Sequence, residues 1–394
     1  MYPVVQLKAG REASVGFHHP WVFSGAIEKR PPNLQPGTLV QVTDRNGQVL
    51  GVGTYGPGTI AVRVFDFSAV EIGEKWILAA LTYALKRREL LGYGANTQTT
   101  GYRLVHGEGD NLPGLVVDVF GSVVVMQIST AGMDALRPLV IAALQHLLQP
   151  MALVEKSDMG VREQEALPEV VKVQAGELPK TVSFLEHGNA YKVDVLGGQK
   201  TGFFLDQKGL RNILTKFAAG RTALNLFSYT GASSVALLKA GAIHVHNVDE
   251  SQPALDMIAA QLELNGLAAY MATTEQTDIF QWLGKERPET YDMVLLDPPA
   301  LAKTKREVEL AMKAYHFLNR AAMRLAKDGG IFVTSSCSHY VSEDDLMFTL
   351  RRASVQAGVK LHLLSSVRQS ADHPWSVYWP EGQYLKSFIF QVQK

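Results

Sequence analysis

From residue 186 onward the chain repeats one pattern, a short apolar run of strand type followed by a stretch with the 3.6-residue period of a helix. The strand-like runs fall at 190–196, 222–227, 243–248, 270–274, 292–296, 330–335 and 360–364, with helical stretches such as 252–264 and 306–326 between them. Strands that alternate with helices pair in parallel, because each helix carries the chain back to the edge from which the previous strand set out. The pattern therefore predicts a doubly wound, mostly parallel α/β sheet. In such a sheet ligands sit beyond the carboxyl ends of the strands. The residues that end each run are the ones to read for chemistry.

The run at 222–227 contains Asn225 and Phe227, passes into Ser228-Tyr229-Thr230-Gly231, and continues as an apolar helix through Val235, Leu237 and Leu238. A dinucleotide would ask for three glycines here, so that the backbone could approach its pyrophosphate. Only Gly231 is present. A nucleoside ligand without phosphates needs less: one glycine for close approach and a carboxylate for the ribose hydroxyls. Asp249 ends the next run and can accept from both hydroxyls. Asp278 follows the third run, at the right distance to face an adenine amine. An acid at such a place ordinarily caps a helix, so the weight lies on the order of these acids along consecutive strands. The set fits S-adenosylmethionine better than NAD.

The fourth run ends in Asp297-Pro298-Pro299-Ala300. Two prolines fix φ and remove backbone donors, which makes a rigid turn able to hold a flat ring against the proline faces. The next run, at 330–335, ends in Ser336-Cys337-Ser338 and delivers the only cysteine of 394 residues. Parallel neighbours lie about 5 Å apart, so Asp297 and Cys337 could flank one substrate. A lone cysteine is ordinarily a small buried hydrophobe; at a strand end beside Asp-Pro-Pro it reads as a nucleophile. Carbon 5 of a pyrimidine is too weak a nucleophile to take a methyl group from a sulfonium unaided. A thiolate adding to carbon 6 converts the ring to an enamine whose carbon 5 can attack. A free thiol with a pKa of about 8.5 is mostly protonated at neutral pH, so the site or the substrate must remove its proton. His339 is close in sequence and is one candidate.

Residues 1–72 are rich in Gly and Pro, with short alternating segments and the hairpin signal Asp44-Arg45-Asn46-Gly47. This reads as a small β-rich module. Arg11, His18, His19, Trp21 and Phe23 mix cations with aromatics, the ingredients of a nucleic-acid surface and equally of solvated basic groups beside a core tryptophan. Residues 73–185 read as a separate α+β module, with helices at 73–92 and 133–148 and a hairpin-like pair at 115–119 and 123–128. With Lys+Arg 38 against Asp+Glu 38, the whole molecule has no electrostatic mandate for nucleic acid. One cysteine excludes an intrachain disulfide and a multi-cysteine zinc site, and no metal is expected. No run of 18 apolar residues and no signal-like N-terminus occurs, so a cytoplasmic protein without a membrane partner is expected.

On these residues the chain resembles the ribosomal RNA large subunit methyltransferase I family. The likeness runs through Gly10-Arg11-Glu12, His19-Pro20-Trp21-Val22-Phe23-Ser24-Gly25, Tyr102-Arg103-Leu104 and Gly107-Glu108-Gly109-Asp110-Asn111-Leu112-Pro113-Gly114. It continues through Lys200-Thr201-Gly202-Phe203-Phe204-Leu205-Asp206-Gln207, Asn225 to Gly231, Asp297-Pro298-Pro299, Ser336-Cys337-Ser338, Ala371-Asp372-His373-Pro374 and Pro380-Glu381-Gly382. The resemblance implies a multidomain α/β protein: an N-terminal PUA domain for RNA (1–72), a central α+β domain (73–185) and a C-terminal Rossmann-like class I methyltransferase (186–394). It implies S-adenosylmethionine-dependent formation of 5-methylcytosine in 23S ribosomal RNA, with Cys337 as nucleophile and Asp297 beside it.

By the same resemblance the segment holding Lys200, Thr201, Phe204, Asp206 and Gln207 closes over the methionine end of the cofactor. Asn225, Phe227, Ser228, Tyr229, Gly231, Asp249 and Asp278 complete the cofactor set, and Arg11, His19, Trp21, Pro298 and Pro299 face RNA. A homodimer is a further expectation. Departures occur: Ala300-Leu301 stands where relatives often have Lys-Phe, Thr277-Asp278 where many have Asp-Asp, and Ala314-Tyr315-His316 where Gly-Tyr-Lys is commoner. The alternatives are a methyltransferase acting on a base nitrogen of guanine or adenine, which needs no thiol, and a non-catalytic RNA-binding assembly factor.

Overall fold

In the computed structural model, which describes residues 2–394, the alternating segment folds into a seven-stranded sheet. Its strands are β1 (Thr222–Leu226), β2 (His244–Asp249), β3 (Ala272–Gln276), β4 (Tyr291–Leu296), β5 (Ala326–Ser336), β6 (Lys360–Val367) and β7 (Lys386–Gln393). They lie in the order β3-β2-β1-β4-β5-β7-β6. The first five pair in parallel, and β7 runs antiparallel between β5 and β6. Leu226 of β1 pairs with Leu296 of β4, which pairs with Thr334 of β5, so β1 and β4 end level and β5 runs two residues further to Ser336. Strand order reverses between β1 and β4, and a crevice opens at such a switch point.

The connecting helices include α1 (Ala232–Lys239), α2 (Gln252–Leu264), α3 (Ile279–Leu283), α4 (Val308–Arg324) and α5 (Glu343–Ala357). Helix α4 turns Ala311, Tyr315, Leu318, Ala322 and Met323 inward at helical spacing. They pack with Leu226, Leu296, Phe332 and Phe388 in one core. Each such large apolar side chain contributes roughly 1.5–3 kcal/mol when fully buried. A capping box between Ser342 and Asp345 starts α5, and Gly358 at φ 75° ends it.

Three readings of the pattern need correction. The run at 190–196 is outside the large sheet: Asn189–Val193 forms a two-stranded sheet with Val182–Glu186. The loop between them, His187-Gly188, has φ of 49° and 81°, the left-handed pair of a tight hairpin turn, so local closure takes this strand. The helix expected at 133–148 is two, Ala131–Ala135 and Arg137–Leu148, because Pro138 lacks an N–H and starts a new helix. Strand β7 was not anticipated, although its sequence alternates.

By its contacts the chain divides into two units. The first comprises Met1–Phe184, Val193–Leu205 and Ala371–Gly382; the second comprises Leu185–Lys192, Asp206–Ser370 and Gln383–Lys394 and contains the seven-stranded sheet. The first unit holds a six-stranded sheet built from residues 4–66 and a five-stranded sheet built from residues 101–176. Helices Glu74–Leu90 and Arg137–Leu148 pack on each other beside the second of these.

Buried charges cross-link the first unit. Arg88 donates to both carboxylate oxygens of Asp110 at 2.6 and 2.7 Å and to the Asp372 carbonyl at 2.8 Å. The Asp372 carboxylate accepts from the Arg103 N–H at 3.0 Å, and Arg103 forks onto Asp118 at 2.8 Å. His106 and His373 face each other with ring centroids 5.1 Å apart. Burial first, then His373 and the two arginines, hold His106 well below its ordinary pKa of 6.5. Below pH 6.5 the unfolded chain therefore takes up a proton that the folded chain refuses. The stability present above that pH is lost as it falls, at about 1.4 kcal/mol per pH unit for one proton. Urea midpoints at pH 7.5 and 5.5 are expected to show this decline, and His106→Gln to flatten it.

Among the described residues no helix is long and apolar enough to cross a membrane, and no cluster of His, Cys, Asp and Glu is able to hold a metal.

Candidate functional site

The loop from β1 to α1 is the most strained backbone in the second unit. Phe227, Tyr229 and Gly231 have φ of 61°, 47° and 75°. A left-handed conformation costs a non-glycine residue about 1 kcal/mol or more, and such strain persists only where surroundings impose it. Here β2 imposes it: the N–H groups of Phe227 and Ser228 donate to the Val248 carbonyl at 3.0 and 3.2 Å. The Tyr229 N–H donates to Asp249 Oδ2 at 2.8 Å. Asp249 Oδ1 accepts from the Ser251 N–H at 2.9 Å, which fixes the carboxylate at the strand end. At Gly231 a Cβ would lie 2.9 Å from Ile258, so α1 and α2 meet only over a glycine. Gly231→Ala combines that clash with an unfavourable φ and is expected to cost about 1–3 kcal/mol, read as a lower thermal midpoint of the second unit.

Two polar atoms of this loop, Ser228 Oγ and Thr230 Oγ1, are buried with no hydrogen-bond partner among the described residues. Buried hydroxyls are normally satisfied; two orphans beside a fixed carboxylate and a close-approach glycine fit a polar ligand of nucleoside type. Asn225 lies beneath the loop, its amide donating to Ser234 Oγ at 3.0 Å and Asn247 Oδ1 at 3.3 Å, so it braces β1 against β2 and α1. Asp278 is exposed and caps α3, its Oδ1 accepting from the Gln281 N–H at 2.8 Å.

The residues of the 200–207 segment fall in both units. In the first, Lys200 Nζ stands 4.7 Å over the Phe204 ring, and buried Thr201 donates to Asp118 Oδ2 at 2.6 Å. In the second, Asp206 accepts from the Tyr384 hydroxyl at 2.7 Å, and Gln207 donates to Asp297 Oδ2 at 2.9 Å.

Asp297 directly follows β4 and Cys337 directly follows β5, which extends two residues beyond the partner of Leu296. Cys337 is half-buried, with Sγ 4.0 Å from the Pro298 carbonyl; Pro298 is buried and Pro299 exposed. One hydroxyl locks the two loops together. Ser338 Oγ accepts from the N–H groups of Leu301 and Ala302 at 3.0 and 3.2 Å. The Tyr315 hydroxyl sits between Ser336 Oγ at 2.9 Å and Ser338 Oγ at 3.1 Å. Burial pushes the Tyr315 phenol above its ordinary pKa, so it stays protonated at neutral pH. His339, by contrast, is exposed and packs edge-on against Tyr340, with ring centroids 5.3 Å apart.

Pattern reading missed Tyr315 and Lys386. Tyr315 was noted only within Ala314-Tyr315-His316, with no role of its own. Lys386 opens β7 and donates to the carbonyls of Ser338 and Val341; a single cation at the head of an alternating run was its signal.

Of the residues expected to face RNA in the first unit, Arg11 is exposed and lines a recess with Val22 and Phe23. Trp21 is half-buried, its indole N–H donating to Glu108 at 2.8 Å and its ring edge-on to Trp379 at 6.0 Å. His19 lies 3.3 Å from Glu381. Both side chains are partly buried and make these contacts within the first unit.

Comparison with known proteins agrees with this architecture. The PUA-like domain family matches residues 5–67, and the S-adenosylmethionine-dependent methyltransferase family matches residues 103–376. The ribosomal RNA large subunit methyltransferase I of Klebsiella pneumoniae is 36% identical, over 100% of this chain and 99% of its own. Among solved structures, a SAM-dependent methyltransferase from Streptococcus mutans superposes with a TM-score of 0.83 at 24% identity, covering 99% of this chain and 100% of its own. A crystal structure of a methyltransferase complexed with SAH gives a TM-score of 0.84 at 24% identity, with the same coverage.

Proposed function

The chain belongs to the ribosomal RNA large subunit methyltransferase I family of S-adenosylmethionine-dependent enzymes, and on that footing we propose that it methylates carbon 5 of a cytosine in 23S ribosomal RNA through a covalent Cys337 adduct. The observation that carries the reading is that Asp297 and Cys337 each directly follow one of two adjacent parallel strands, with Cys337 Sγ 4.0 Å from the Pro298 carbonyl and the two loops tied through Ser338.

In this reading the Cys337 thiolate bonds to carbon 6, and the 5,6 π pair moves to make carbon 5 nucleophilic. S-adenosylmethionine supplies the electrophilic methyl group, the sulfonium bond breaking with its electron pair retained on sulfur. Carbon 5 then gives up its proton to water, the 5,6 double bond re-forms, and the carbon–sulfur bond at carbon 6 breaks to return the thiolate. Asp297 accepts from the exocyclic amine of the cytosine, while Gln207 holds its other oxygen. The exposed face of Pro299 gives the ring a rigid wall.

The cofactor is assigned to the strained loop of Phe227, Ser228, Tyr229 and Gly231, with Asp249 on the ribose hydroxyls and Asp278 toward the adenine. Asp249→Asn removes the charge behind those hydrogen bonds. It is expected to weaken S-adenosylmethionine binding about tenfold or more in a calorimetric titration. Residues 1–72 are assigned to RNA contact through Arg11, residues 73–185 to a central domain and 186–394 to the methyltransferase.

The test is transfer of labelled methyl to ribosomal RNA from cells lacking this protein, with the product digested to nucleosides. Label in 5-methylcytidine is the expected result. Label in a methylated guanosine or adenosine would replace this reading with nitrogen methylation, and absence of transfer with intact RNA binding would favour an assembly factor.

A further inference from the structure

Strand β7 brings one charged side chain against the Cys337 loop. Lys386 pairs with Ser336 across β5 and β7, and the residue is 6% exposed. Its Nζ donates to the Ser338 carbonyl at 3.0 Å and the Val341 carbonyl at 2.7 Å, both in the turn that carries Cys337 away from β5. Among the described residues no carboxylate pairs with it: Glu343 is engaged with Arg368. A buried ammonium held only by carbonyls is unfavourable unless an opposite charge lies near. The groups about this loop are the Tyr315 phenol from α4, hydrogen-bonded to Ser336 and Ser338, the Cys337 sulfur beside the Pro298 carbonyl, and the ion pair of Arg368 with Glu343. Burial first and then Arg368 lower the pKa of Lys386, while charge on Cys337 and on Glu343 acts in the opposite direction.

We propose that Lys386 is a positioning residue of the reaction, its ammonium serving as the counter-ion that holds Cys337 as a thiolate at neutral pH. The two hydrogen bonds to the turn fix where that charge sits. The pairing serves both halves of the reaction, because a stabilised thiolate is present to attack carbon 6 and leaves more readily from the adduct. Its consequence for methyl transfer rests on Cys337 being the nucleophile; the ion pair does not.

The experiment is the pH dependence of alkylation by iodoacetamide in the full chain, where the only cysteine is Cys337 and every mass increment reports that sulfur. Wild type is expected to react with an apparent pKa below the free-cysteine value of about 8.5. Lys386→Gln keeps a donor for the carbonyls but removes the charge. It is expected to raise that pKa by about one unit or more, a tenfold loss of thiolate at neutral pH, and Lys386→Arg to restore it. Methyl transfer by Lys386→Gln then falls about tenfold at pH 7 and recovers as pH rises through the new thiol pKa, a profile that a purely structural defect does not give. A wild-type thiol that ionises at about 8.5 or above overturns the proposal, whatever the variants do. So does a folded Lys386→Gln that titrates like wild type. If Cys337→Ala keeps methyl transfer, the nucleophile assignment fails, while the thiol titration still decides the ion pair.

Discussion

Cys337→Ala is expected to reduce methyl transfer by a factor on the order of 10³ or more, about 4 kcal/mol of lost transition-state stabilisation. Carbon 5 of cytosine has no other route to sufficient nucleophilicity, so positioning alone cannot compensate. The fold should survive. Cys337 is half-buried in a loop held by Ser338, Tyr315 and Lys386, none of which depends on the sulfur for the bonds described above. Removing one sulfur atom there is expected to cost about 1 kcal/mol of stability or less, and S-adenosylmethionine binding should be unchanged. An RNA substrate carrying 5-fluorocytosine sharpens the test, because fluorine cannot leave as a cation and the adduct is trapped. Wild type should form a protein–RNA species that survives denaturing electrophoresis, and Cys337→Ala should not. Undiminished transfer by the alanine variant would make the sulfur a spectator.

Arg88→Met is expected to destabilise the first unit by about 3–5 kcal/mol. The Arg88 and Asp110 side chains are 1% and 0% exposed, and the variant leaves Asp110 as a buried charge. The remaining partners are the His106 N–H at 2.7 Å and Arg87 at 3.3 Å, whose side chain is one-third exposed and therefore a weak substitute. For a unit of this size the loss corresponds to a fall of roughly 10 °C in its thermal midpoint. Because the cost lies mainly in the stranded charge, the double change Arg88→Met with Asp110→Leu should recover much of it. A double variant no better than the single one would mean that Arg88 acts through the Asp372 and Arg103 carbonyls instead.

The loop after β1 and the two residues that follow β4 and β5 were legible as places in the fold, because each follows directly from a strand whose pattern is local. Asp249, Asp297 and Cys337 fall at strand ends, and parallel pairing brings such ends to one edge. Helix α2 spans Gln252–Leu264, as its period indicates. What was not legible comes from returns of the chain. Trp21 and His19 read equally as part of a nucleic-acid surface or as basic groups beside a core tryptophan, and their contacts with Trp379 and Glu381 come from a distant return of the chain. Lys386 reaches the Cys337 turn only because β7 inserts antiparallel between β5 and β6, a long-range pairing that no local period announces. The hairpin at 182–193 shows the reverse, a local turn that captures a strand which the global pattern would place in the large sheet.

The division of the chain into interleaved segments sets a schedule for its synthesis. The first unit needs Ala371–Gly382, whose Asp372 joins Arg88 and Arg103 and whose Pro374 carbonyl presses so close on Gly109 that a Cβ there would stand 1.9 Å away. A ribosome must therefore deliver nearly the whole polypeptide before its earliest-made portion can close. Until then that portion waits without the Asp372 carbonyl and carboxylate that accept from Arg88 and from the Arg103 N–H, in reach of chaperones and proteases, and a chain that stops short of residue 371 never completes it.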